Sequence, residues 1–267
     1  MARRFWELAV SDVANQFATP LKSLTGFAVS VQSARSSKHV SEAVVDKLNL
    51  AEDAKVLEIG YGRGHGIAAA LARMPRGIVF GLERSPYMEE VTRKRFVLEE
   101  REQGRLELDR TFDLRHLAYP TNIFDAVFHV DVYYFLKQES MPDICRELLR
   151  TLRPEGVLMC GLQMSRLEKL EKRGLLTASQ WDPLRYMQCL EPAGFVDVKM
   201  EYVSTPRGEV QIISSRKPPD DDGSQDPAVL MARLARDMKR EMLKQKLTAG
   251  GVTLTPEELD ELLERKD

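Results

Sequence analysis

The stretch Val56–Gly66, VLEIGYGRGHG, limits what this chain can fold into more than any other. A short apolar run carrying one acid, Glu58, leads into a segment in which every second residue is glycine. Glycine accepts left-handed backbone and lets the main chain approach a ligand closely. A strand ending in such a loop marks an α/β sheet with a ligand at the strand's carboxyl end. Two registers compete. One is G-x-G-x-G on Gly60, Gly62 and Gly64; the other is the dinucleotide fingerprint G-x-G-x-x-A on Gly64, Gly66 and Ala69. The strand ends at Ile59, so the tight turn has to begin at Gly60, and the first register is preferred.

Strand and helix then alternate. KVLEIG, GIVFGLE, RLELDR, FDAVFHV and GVLMCGLQ read as strands, separated by helical stretches at GIAAALARM, at SPYMEEVTRKRFVLEEREQG and at MPDICRELLRTLRP. Ser85 is placed to cap the second of these helices, with Pro86 at its first position. Such a βαβα run predicts a parallel sheet covered on both faces. FVDVKMEYV and GEVQIISSRK face each other across STPR and predict a closing hairpin, which makes one strand antiparallel. The expected fold class is therefore α/β: a doubly wound, mostly parallel, Rossmann-like seven-stranded sheet with an antiparallel C-terminal hairpin strand, plus N-terminal helices and a C-terminal helical tail. Residues 3–17 read as a helix, 18–38 as irregular and 40–49 as a helix. The expected divisions are an N-terminal helical or lid segment over 1–39, the ligand-binding domain over 40–216, a Pro/Asp-rich linker over 217–227 and a helical tail over 228–267. The tail's first helix is basic and its last segment acidic.

Composition excludes several classes. A net charge of −2 gives no global attraction to nucleic acid or anionic membrane, and no apolar run approaches the ~20 residues of a membrane span. Three scattered cysteines and four scattered histidines predict no disulfide framework and no metal site, in a reducing, cytoplasmic compartment. Arg3 and Arg4 hint at a mitochondrial targeting peptide, but Glu7 and Asp12 oppose it.

Glu83 closes the second strand. A carboxylate there can accept ribose hydroxyls and would repel a 2′-phosphate. Glu58 adds negative charge beside the loop, which suits a ligand with a cationic end better than a pyrophosphate. The residues resemble those of the class I methyltransferases that use S-adenosylmethionine (SAM), within them the methyltransferase type 11 domain. VLEIGYGRG is similar to the first motif, at Glu58, Gly60, Gly62 and Gly64; GLERS to the second, with Glu83; RTFDLRHLAYPTNIFDAVF to the third. LLRTLRPEGVLM and LEPAGFVDV resemble the segments before the fifth and sixth strands, with Glu155 where the family has glycine and Phe112 where it has glycine before Asp113. The resemblance covers about residues 40–215. It implies SAM as cofactor, held by Glu58, Gly60, Tyr61, Gly62, Gly64, Glu83 and Arg84, with Asp113 on the adenine amino group, the Leu114 amide on the ring and His129 beside the cofactor.

The fourth strand ends in VFHVDVYYFL, at the edge where such sheets carry out chemistry. His129 and Asp131 are the candidate catalytic residues: His129 as general base or, preferred, packed under the cofactor; Asp131 facing the acceptor. Tyr133 and Tyr134 read as pocket walls, Trp181 and Tyr186 as core. The TGFAVSVQSARSS stretch is a candidate cover over SAM. The leading reading is a SAM-dependent methyltransferase acting on a small molecule. The alternatives are a protein or nucleic-acid target, a non-catalytic scaffold that reaches a protein partner through the C-terminal helices and, last, a nicotinamide-dependent oxidoreductase.

Overall fold

The computed structural model describes residues 11–219. The expectations for residues 1–10 and for the linker and tail beyond 219 lie outside the described residues.

Seven strands form one sheet: β1 (Lys55–Ile59), β2 (Ile78–Glu83), β3 (Leu106–Arg110), β4 (Phe124–Val130), β5 (Leu152–Leu162), β6 (Val196–Thr205) and β7 (Gly208–Arg216). Their order is β3-β2-β1-β4-β5-β7-β6. The first five are parallel, and β7 runs antiparallel to both β5 and β6. The predicted hairpin is thus present, with one reversed strand.

The inner strands β1, β2 and β4 are apolar and almost wholly buried because both faces of the sheet are covered there, whereas the outer strands β3 and β6 are polar on alternate or most positions. Successive side chains point to opposite faces. Leu57, Phe80, Phe124 and Val127 join one core, under α6 (Met141–Thr151) and α9 (Pro183–Ala193). Val56, Val79, Ala126 and Phe128 join the other, under α2 (Leu24–Leu48) and α3 (His65–Arg73).

Two expectations are corrected. Residues 24–38 are not irregular: α2 is one helix of 25 residues, following α1, which is described over residues 11–18. The expected boundary at 39/40 therefore falls inside a helix. Serine and threonine favour loops by offering the backbone other hydrogen bonds. Here those bonds stay within the helix: Ser23 Oγ caps it by accepting from the Gly26 N–H at 3.0 Å, Ser30 donates to the Phe27 carbonyl at 2.9 Å, and Ser37 to that of Ser33 at 3.0 Å. The single helix expected after Ser85 is two, α4 (Pro86–Arg95) and α5 (Val97–Arg101). They part at Phe96, whose backbone (φ −116°, ψ 36°) leaves the helical region as its ring turns into the core. The Ser85 cap itself forms as expected, accepting from the Met88 N–H at 3.2 Å.

Candidate functional site

A cavity of about 620 Å3 opens at the carboxyl ends of β1, β2 and β4. Its floor is the glycine loop. Gly60, Gly62 and Gly64 all take positive φ (72°, 51° and 74°), while Gly66 lies inside α3. That is the backbone the G-x-G-x-G register requires. A Cβ on Gly60 would stand 2.6 Å from Val132 Cγ2, and one on Gly64 2.6 Å from Phe96 Cε2. At Gly62 a Cβ would meet nothing within 4 Å, so there the bare backbone faces open cavity. Tyr61 lies between them with its ring turned away: it packs against Gly81, where a Cβ would come within 2.7 Å of Tyr61 Cδ1.

Two buried carboxyls flank this loop. Glu58 rests against Gly66, where a Cβ would lie 2.2 Å from its Oε1. Burial pushes its pKa up to about 8, the nearby Glu83 adds to this, and a backbone hydrogen bond from Ile67 opposes it. Its Oε2 is buried without a hydrogen-bond partner among the described residues. Glu83 is tied to the main chain: Oε1 accepts from the N–H groups of Arg84 (2.8 Å) and Ser85 (3.0 Å), and Oε2 from that of Gly62 (2.9 Å). Burial raises its pKa, and these bonds counter the rise. A carboxylate oxygen accepts about two hydrogen bonds, so Oε2 keeps one position for a ligand hydroxyl. Thr92 Oγ1, not singled out from the sequence, donates to the Gly62 carbonyl at 2.8 Å and ties the loop to α4.

Asp113, Leu114 and Arg84 also line the cavity. Asp113 is half-buried, and its carboxylate is engaged by Arg115: Oδ1 accepts from the backbone N–H and from Nε, both at 2.9 Å, and Oδ2 from Nη2 at 2.8 Å. The Arg115 guanidinium holds its pKa well below the ordinary carboxylate value. Arg115 thus takes up most of the acceptor capacity that an adenine amino group would use there.

The end of β4 differs from its reading as a catalytic site. His129 is 2% exposed and is absent from the cavity wall. Its Nε2 shares a hydrogen bond of 2.9 Å with the hydroxyl of Tyr186 in α9, and burial pushes its pKa down to about 4. It is a neutral core residue, and neither the general-base role nor direct cofactor contact fits this position. Asp131 does line the cavity, with φ 62°, but its carboxylate forms a buried ion pair with Arg166 of α7 (Met164–Lys172). Tyr134 lines the cavity, whereas Tyr133, Trp181 and Tyr186 pack outside it.

The segment read as a candidate cover borders the cavity. Phe17 of α1 and Val29, Ser30, Ser33 and Ser37 of α2 face it. Three arginines from separate elements fasten α2: Arg63 Nη1 donates to Ser30 Oγ at 3.2 Å, Arg166 Nη1 to Ser36 Oγ at 3.1 Å, and Arg207 Nη1 to the Arg35 carbonyl at 2.8 Å. The spacing of Ser30, Ser33, Ser37 and Ser41 matches one helical face, a pattern that the loop-favouring composition of the segment concealed. Nothing local to Arg166 announced its role.

Residues 57–160 match the family model of a methyltransferase domain. Among solved structures, the chain is similar to the [4+2]-cyclase SpnF (17% identity, TM-score 0.55, covering 70% of this chain and 83% of that one). It is also similar to a geranyl diphosphate methyltransferase in complex with SAM (13%, TM-score 0.55, 76% and 94%). A third is the phosphoethanolamine N-methyltransferase 2 of Haemonchus contortus in complex with SAM (16%, TM-score 0.53), where the match covers 67% of this chain but only 52% of that one. At these identities the likeness is one of fold. No curated protein sequence matches the chain. No helix of the described residues is long and apolar enough to cross a membrane.

Proposed function

We propose that this chain, a SAM-dependent methyltransferase with a Rossmann-like class I fold, methylates a small-molecule acceptor that it encloses together with the cofactor. The observation that carries the proposal is the roof. Phe17 and the Val29–Ser41 face of α2 stand over the glycine loop and leave a cavity of about 620 Å3. That volume suits a small ligand, since such pockets run to roughly 300–1,000 Å3.

The residues present fit the cofactor. Glu58 offers a buried, unpartnered oxygen to a cationic group, Glu83 one free acceptor position to a ribose hydroxyl, and Gly62 open space at the backbone. SAM supplies an electrophilic methyl group on a sulfonium. The chain's part is to fix and enclose: the loop and Glu83 hold one reactant, and the roof excludes water. Positioning of this kind supplies much of the rate in a displacement reaction. With His129 outside the cavity and Asp131 paired to Arg166, the end of β4 holds no free base.

The test is calorimetric titration with SAM, S-adenosylhomocysteine and NAD in parallel. The expected outcome is binding of the first two and not of NAD. Binding of NAD alone would overturn the cofactor assignment. Methyl transfer to intact protein or RNA, with no small-molecule product in an extract, would overturn the acceptor class.

A further inference from the structure

Beside the cover lies a second, outer cleft of about 460 Å3, lined by Gln32, Arg35, Ser36 and Lys38 of α2, by His65 at the start of α3 and by Arg207 in the turn between β6 and β7. Every one of these side chains can donate a hydrogen bond, and no carboxylate of the described residues lines the cleft. The guanidinium of Arg35 has no hydrogen bond or ion pair among the described residues. Arg207 is held across the cleft by its bond to the Arg35 carbonyl and has no carboxylate partner there. Lys38 meets only Glu42, at 3.6 Å and largely exposed, and an exposed pair of this kind contributes little. The excess of positive charge acts on both neighbouring histidines. Burial lowers the pKa of both His65 and His39; Arg95, Lys38 and Arg63 lower the first further and Arg207 and Arg166 the second, against Glu42 at both and Asp131 at His39. Charges of one sign gathered in a concave surface concentrate the opposite ion.

We propose that this cleft is a binding site for a phosphoryl anion, a phosphate or pyrophosphate group carried by a small molecule. Two guanidinium forks match the bidentate geometry of phosphate oxygens. The Lys38 ammonium and the Gln32 amide add donors around a group with several acceptor oxygens, whereas the Ser36 hydroxyl already donates to the Ser33 carbonyl. The cleft has more room than one phosphate fills, which favours pyrophosphate. Apart from His65, its residues are not those of the cavity over the glycine loop, so the inference does not depend on the methyltransferase reading.

The test is calorimetric titration of the full chain with sodium pyrophosphate and with inorganic phosphate, in low salt and again at higher salt. The expected result is one saturable site, tighter for pyrophosphate, that weakens as salt is added. In Arg35→Gln the affinity should fall tenfold or more. Arg35 has no structural partner to lose, and SAM titration of the same variant checks that the fold is intact. Arg207→Lys, which keeps charge but loses the fork, should lose less than Arg207→Gln. Absence of saturable binding by the wild-type protein, or equal affinity in Arg35→Gln, overturns the proposal. So does Arg35-dependent binding of an RNA oligonucleotide in the absence of pyrophosphate binding, because that would make the cleft a nucleic-acid surface.

Discussion

Glu58 and His129 stand on neighbouring strands, one residue apart in register, since Ile59 pairs with His129. Both are buried, and burial shifts both pKa values toward the neutral form, Glu58 up to about 8 and His129 down to about 4. Their uses differ. Glu58 points to the α2/α3 face, rests on Gly66 and keeps an oxygen unpartnered in the cavity wall. His129 points to the α9 face and is bonded to Tyr186. A position at the carboxyl end of a strand does not make a residue catalytic. The pleat decides which face the side chain joins, and distant partners decide whether it stays available.

The comparison breaks most visibly at Asp131, the other candidate at the end of β4. If Asp131 is structural, Asp131→Ala should destabilise the fold by about 3–5 kcal/mol by leaving Arg166 buried and unpaired. Denaturant melts read this, and a variant of wild-type stability with lost methyl transfer would return Asp131 to the acceptor site. On the other side of the divide, Glu83→Ala should weaken SAM binding by about 1.5–3 kcal/mol, the value of a hydrogen bond to a charged group. Unchanged SAM affinity in calorimetry would detach Glu83 from the cofactor.

The pH dependence separates Glu58 from His129 by sign. The folded state holds a proton on Glu58 that the unfolded state has released between the ordinary value of 4.5 and about 8. Its contribution to stability therefore falls as pH rises through that window. His129 behaves oppositely, because the unfolded state takes up a proton that the folded state refuses between 6.5 and about 4. Its contribution falls as pH drops through that window. Each slope is at most ~1.4 kcal/mol per pH unit. Stability curves of Glu58→Gln and His129→Phe, subtracted from wild type, should show slopes of opposite sign. A flat difference for Glu58→Gln would mean that the carboxyl is ionised in the ligand-free protein. The smallest expected effect is that of Tyr186→Phe, about 1 kcal/mol of stability with SAM affinity unchanged, as befits a pair outside the cavity.

The inner strands were legible because each is a short apolar run bounded by glycine, proline or polar residues, β6 was legible from its pairing with β7 across a short turn, and the loop register followed from where β1 ends. The break at Phe96 and the upper half of α2 were hidden for one reason. Local composition favoured one state and tertiary packing enforced another: Phe96 turns in beneath Gly64, and the serines of α2 satisfy themselves along the helix. At the cofactor end, the place of Glu83 beside the glycine loop was legible because its partners, Gly62, Arg84 and Ser85, belong to the motifs themselves. At the other end, the fates of His129 and Asp131 are set by Tyr186 and Arg166, far along the chain and carrying no local signal. Asp113 falls between these cases: its place on the wall was legible, but its bidentate engagement by Arg115 was not.

The roof has a kinetic consequence. The lower half of α2 is anchored in the core by Val40, Val44 and Val45, and the upper half spans the cavity in the same unbroken helix. No loop hinge interrupts it. For a molecule whose exit path runs under the roof, release requires that the upper turns fray or that the arginine ties at Ser30, Ser36 and Arg35 let go. Residence time, more than affinity, is then the quantity these ties govern, and the amide protons of residues 24–38 should exchange faster than those of residues 40–48 by a margin that shrinks when the cavity is filled.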